Sequence, residues 1–233
     1  MAAILPNPSA QFQFDRTRQA APQVFEHMRD QIISMTLPPG TVLSRPELAL
    51  QYGISQTPVR DALMRLAEEG LVDVFPQHAT RVSRVDVALA RQAHFLRRSV
   101  EVEIVRNLAE SPDPALVDRL RATIARQQRM LELDDLAEFT ANDQYFHRQL
   151  YEAAAVPDLF GLVRRQSGHL DRLRRLHLPI PGKANAVLRD HTAIVDAIAA
   201  GDVAGAEAAL RGHLTGTLAN VEEIRSRFRD YLG

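Results

Sequence analysis

From Asp86 to its end, this chain has no segment that alternates apolar and polar residues as a half-buried strand does. Apolar residues recur instead at three- and four-residue steps over about 86–109, 115–132, 135–154, 157–177, 184–200 and 203–230. Breakers such as Ser111-Pro112-Asp113-Pro114, Pro179-Ile180-Pro181-Gly182 and Gly201-Asp202 separate these runs. Helices joined so closely bury their stripes against one another, which predicts an antiparallel all-helical bundle over residues 84–233.

The segment before it reads differently. Residues 1–20 are polar, carry Pro6 and Pro8 and show no apolar period, so a flexible arm is expected there. Within 21–83, a helix from Pro22 puts Val24, Met28, Ile32 and Met35 on one face and stops at Leu37-Pro38-Pro39-Gly40. A short helix from Pro46 to Tyr52 ends at Gly53. A third, Ser55 to Gly70, has Ser55 or Thr57 as cap, Pro58 in its first turn, and Val59, Leu63 and Leu66 facing inward. Leu71–Phe75 and Thr80–Val85 then read as two strands around Pro76-Gln77-His78-Ala79. The expected fold class is mainly α: a winged helix-turn-helix of three helices plus a two-stranded wing, followed by the bundle.

Composition narrows the partners only by exclusion. With 28 Lys and Arg against 29 Asp and Glu, net charge does not by itself announce nucleic acid. There is no Cys, which excludes disulfides and thiolate zinc sites. No apolar run approaches the ~18 residues of a membrane span, and no signal peptide is visible at the start. A cytoplasmic protein with no membrane partner is expected.

The stretch LPPGTVLSRPELALQYGISQTPVRDALMRLAEEGLV resembles the winged-helix domain of the GntR family of bacterial regulators. Together with the all-helical C-terminal part it is similar to the FadR subfamily with an FCD-type ligand-binding domain. The resemblance implies a homodimer on a near-palindromic double-stranded operator, since one recognition helix reads only a few base pairs. In such a helix the first residues meet base edges. Arg60 suits guanine and Gln56 adenine, while Ser55 and Thr57 suit phosphate. Arg45 is a candidate backbone contact, and His78 and Arg81 of the wing are candidates for the minor groove or phosphates. Two residues depart from the family's pattern: Gln56 stands where Arg is usual, and Ala79 where the wing turn usually has Gly.

In the bundle, four polar residues interrupt apolar stripes. Asp143 and His147 are four apart on a face with Phe139, Phe146 and Leu150. His191 is in phase with Val187, Ile194, Val195 and Ile198, and His213 with Leu210, Leu214, Thr217 and Val221. A lone His on such a face is usually a satisfied core residue. Four converging groups suit a divalent metal instead, Zn or Ni first, with Mn or Fe also compatible. The resemblance implies the same ligand set, because these residues match the Asp and three His of metal-binding FCD domains.

Arg98, in phase with Phe95, Val102 and Val105, is the expected clamp for a carboxylate effector, and mid-helix His169 is a further candidate for the effector pocket. The resulting expectation is a regulator, a repressor by resemblance, whose operator binding responds to a small carboxylate near the metal. The alternatives are a purely structural metal with another effector, for example acyl-type, and a metal-dependent hydrolase. The hydrolase lacks an acid placed to serve as general base beside the metal, so no enzyme is expected.

Overall fold

A computed structural model describes residues 12–75 and 80–233. In chain order the elements are α1 (Ala20–Ile33), β1 (Val42–Leu43), α2 (Arg45–Tyr52), α3 (Gln56–Glu68), β2 (Val72–Val74), β3 (Thr80–Val82), α4 (Val87–Glu110), α5 (Pro114–Glu132), α6 (Leu136–Ala153), α7 (Pro157–Gln166), α8 (Gly168–His177), α9 (Lys183–Ala199), α10 (Val203–Ala219) and α11 (Val221–Arg227). They form two compact units. The first is Met1–Ala90 with Gly168–Arg175 and Arg225–Gly233; the second is Arg91–Ser167 with Leu176–Ile224.

In the first unit, α1, α2 and α3 bury Val24, Met28, Ile32, Leu48, Val59, Leu63 and Leu66 in one core. Ser44 caps α2 by accepting from the Glu47 N–H, and Gly53 ends it at φ 66°, a left-handed conformation that costs glycine little. Ser55 occupies the cap position of α3, but its side chain makes no capping hydrogen bond. Arg29 Nε donates to Glu69 Oε2 at 2.6 Å, tying α1 to the end of α3.

The wing has three strands rather than the expected two. The order is β1-β3-β2, all antiparallel, and Arg81 of β3 faces Val42 on one side and Asp73 on the other. A two-residue strand such as β1 is too short for alternation to reveal. The expected arm is docked over its last part: Phe12 and Phe14 pack on this core, where Phe12 stacks on His27 at 4.5 Å between ring centroids.

The run expected as one helix over 157–177 is two, broken at Ser167, and the run 203–230 is broken at Asn220. Gly168 follows the first break, and a Cβ there would lie 2.7 Å from Leu71 Cδ2, so a larger residue would have to displace that side chain. Five residues beyond Ser167, fully buried Arg172 donates from Nη1 to the Ser83 carbonyl at 2.7 Å and from Nη2 to Ser83 Oγ at 3.2 Å. The Gly168–Arg175 segment is thus sewn to the strand end that leaves the wing.

In the second unit, α5 packs on α6 and α9, and α9 on α10. Asp113, Asp135 and Asp202 each cap the helix that follows by accepting a backbone N–H in its first turn. The core gathers Val105, Leu120, Phe146, Leu150, Ile194, Val195 and Leu210, all fully buried. Each such side chain contributes about 1.5–3 kcal/mol on leaving water, which offsets the cost of the polar groups set among them. Among the described residues, no helix is long and apolar enough to cross a membrane.

Candidate metal centre and nucleic-acid interface

Asp143 and His147 on α6, His191 on α9 and His213 on α10 meet inside the second unit. All four are buried, and their ligand atoms lie within 4.8 Å of one another. His147 Nε2 is 3.1 Å from His213 Nε2, and His191 Nε2 is 3.5 Å from Asp143 Oδ1. Metal–nitrogen bonds of about 2.0–2.1 Å put neighbouring ligand atoms roughly 3 Å apart and opposite ones roughly 4 Å apart. The spacing therefore fits one ion with small side-chain adjustments. The His191 ring stacks on Phe146 at 3.9 Å and 9°, which fixes its plane.

Ligation needs a neutral imidazole, and the setting of His213 favours that form. Burial pushes His213 down from 6.5 to about 4, against the opposing hydrogen bond from its ring to Asp190. His147 Nδ1 lies 2.9 Å from Glu101 Oε2. Glu101 also accepts from Arg97 Nε at 2.7 Å and from the Tyr151 hydroxyl at 3.2 Å. Burial alone would raise this carboxyl, but the Arg97 guanidinium and then His147 outweigh it and hold Glu101 well below the usual carboxylate range.

Arg98 is not where the sequence put it. Its guanidinium lies over the Phe95 ring at 5.9 Å from the centroid, and Phe95 is 63% exposed. The arginine beside the cluster is Arg97, one residue away on α4, because the buried stripe runs through Ala93, Arg97, Glu101 and Val105 and does not include Phe95. His169 is likewise displaced. It belongs to the first unit, where its Nδ1 accepts the Asp86 N–H at 2.9 Å, and burial followed by the charge of Arg172 lowers it to about 4.

Arg97, Gln127, Asp190 and Tyr151 escaped sequence reasoning, and Glu101 stood out only as the acid that closes RSVE (Arg98–Glu101), with no role at the cluster. The i, i+4 pair Arg97–Glu101 on an otherwise apolar stripe was the available signal, but such pairs are far more often solvated.

On the first unit, Arg45, Ser55, Gln56, Thr57, Arg60 and Arg81 are all exposed, four of them at or next to the start of α3. Arg60 Nη2 lies 3.1 Å from Asp61 Oδ1, with both side chains about half in solvent. His78 and Ala79 fall outside the described residues.

Residues 20–82 match the family model described as bacterial regulatory proteins, gntR family, and residues 92–216 match the FCD domain. An HTH-type transcriptional regulator in an unstable DNA locus of Streptomyces ambofaciens is 40% identical over 203 residues, 87% of this chain and 85% of that protein. The HTH-type transcriptional repressor RspR of Escherichia coli (strain K12) is 26% identical over 219 residues, 94% of this chain and 96% of that protein. Among solved structures, E. coli McbR/YncC superposes with a TM-score of 0.73 at 22% identity, covering 88% of this chain and 98% of that one, a likeness of fold. The chain belongs to the gntR family of bacterial regulatory proteins, in the form that carries an FCD domain. It is a DNA-binding transcriptional regulator and not an enzyme.

Proposed function

We propose that the protein is a homodimeric repressor that binds a near-palindromic operator through the exposed start of α3 and leaves it when a small carboxylate binds beside a divalent metal. The buried cluster of Asp143, His147, His191 and His213 carries this reading. A carboxylate and three histidines on three different helices, set in an apolar core, are costly unless they hold something. The donor set, oxygen and imidazole nitrogen without sulfur, suits Zn or Ni, and Mn or Fe as well. When bound, such an ion supplies a positive charge with coordination positions open to an anionic oxygen.

Gln56, Thr57 and Arg60 read bases or hold phosphates, Ser55 and Arg45 hold the backbone, and Arg81 with His78 serves the wing's contacts. RspR is named a repressor, which supports that sign of regulation here. Operator binding in turn supports a cytoplasmic location.

The test is an operator-binding titration with small mono- and dicarboxylates, run on metal-loaded and chelator-treated protein. A carboxylate that weakens operator binding only when metal is present is the expected result. Equal responses in the two forms, or metal content unchanged in His213→Ala, would remove the cluster from the effector site. Light scattering showing a monomer at micromolar concentration, with and without DNA, would remove the dimer.

A further inference from the structure

The three histidines of the cluster share a feature that ligation alone does not require. Each turns Nε2 toward the common centre and Nδ1 toward an oxygen on another residue. His147 Nδ1 faces Glu101 Oε2 of α4 at 2.9 Å. His191 Nδ1 is 2.9 Å from Gln127 Oε1 of α5. His213 Nδ1 is 3.5 Å from Asp190 Oδ2 of α9. A neutral imidazole has one N–H and one lone pair, so an acceptor at Nδ1 places the proton there and leaves the Nε2 lone pair free to point inward.

We propose that Glu101, Gln127 and Asp190 are positioning residues that set the tautomer and ring orientation of the metal-binding histidines, with Glu101 dominant, then Gln127, then Asp190. This rests on the metal reading of the cluster. The order follows from setting. Glu101 is 1% exposed and paired with Arg97 and Tyr151, both of which donate to it, so a carboxylate there accepts from His147 and adds negative charge behind the ring. Gln127 is fully buried at the same distance but neutral, and an amide could present either its oxygen or its nitrogen to His191. Asp190 stands farther off with its side chain 36% exposed, where water competes for the same N–H. Glu101 and Gln127 also bring α4 and α5 into contact with a site whose direct ligands come only from α6, α9 and α10.

The probe is Zn²⁺ alone, measured by competition with a chromogenic chelator against metal-free protein. Glu101→Gln should weaken zinc binding about 10–100-fold, and Gln127→Met, which keeps the shape but loses the acceptor, by about 10-fold. Gln127→Glu, which can only accept, should bind at least as tightly as wild type, and Asp190→Asn should lose less than about 10-fold.

Imidazole ¹⁵N correlations on the zinc-bound protein supply a readout that a packing role would not move. Protons on Nδ1 of His147, His191 and His213 are expected. In Gln127→Met the ¹⁵N signals of His191 should shift most. If Glu101→Gln fails to fold once Arg97 loses its partner, the three-way comparison at Gln127 decides. Gln127→Met and Gln127→Glu both within about threefold of wild type, or ligation through Nδ1, would overturn the proposal. Asp143→Ala is the control. If it keeps zinc, the metal centre itself is wrong and the outer residues fall with it. If it loses zinc while the Gln127 and Glu101 variants do not, only the positioning role falls.

Discussion

The bundle interior and the recognition helix each contain an arginine–carboxylate pair, Arg97–Glu101 and Arg60–Asp61. The chemistry is the same and the settings are opposite. Arg97 and Glu101 are 8% and 2% exposed in their side chains, at 2.7 Å, with Tyr151 and His147 completing the carboxylate's partners. Arg60 and Asp61 are 59% and 48% exposed, at 3.1 Å. Away from water, a charge left alone is costly, so the first pair is held in one geometry. In water the second pair gains little from meeting, so Arg60 can exchange Asp61 for a base or a phosphate. A buried site is built in advance, whereas an exposed one is completed by its ligand.

The largest expected effect lies inside. Glu101→Ala leaves the Arg97 guanidinium without its carboxylate and should cost about 3–5 kcal/mol of stability, read from the urea midpoint of metal-free protein. A cost below about 1 kcal/mol, the level of an exposed pair, would erase the contrast.

Next comes the pH dependence of metal-free protein. Burial holds His213 and His169 down at about 4, against 6.5 for an unperturbed histidine. Between those values the unfolded chain binds protons that the folded one refuses, so stability should fall as pH drops from about 6.5 toward 4. Above about 7 these groups contribute no slope. The urea midpoint followed from pH 7.5 to 4.5 should show the decline, and His213→Gln should flatten part of it. A flat midpoint between pH 6.5 and 5 would mean that the two rings are hydrated in solution.

On the recognition helix the sign of the contrast reverses, because function suffers more than stability. Arg60→Ala should weaken operator binding by about 1–3 kcal/mol, concentrated at one base position, yet change stability by no more than about 1 kcal/mol. Uniform weakening over all sequences would make Arg60 a phosphate contact instead. The smallest effect belongs to Arg45→Ala. It should lower affinity on every sequence and reduce the slope of log affinity against log salt by about one, measured by fluorescence anisotropy at several salt concentrations.

Much of this molecule was legible because its signals are local. The stops at Gly53 and Gly70, the three-helix order ahead of the wing, and the inward phase of Asp143, His147, His191 and His213 each depend on residues within a turn or two of one another. The helical period alone placed the four cluster residues on inward faces of α6, α9 and α10.

What escaped depends on contacts between segments far apart in the chain. The close approach of Leu71 to Gly168, just after the break at Ser167, joins residues almost a hundred positions apart. His169 accepts from the Asp86 backbone, 83 residues away. Phe95 is apolar and in phase with Val102, yet it is 63% exposed, so the period points to Arg98 where packing buries Arg97. Periodicity tells which residues share a face, and the packing of the other helices decides which face is buried. Burial in turn makes Arg97 and Glu101 a fixed pair beside His147 while Arg60 and Asp61, with the same charged groups, remain open to exchange.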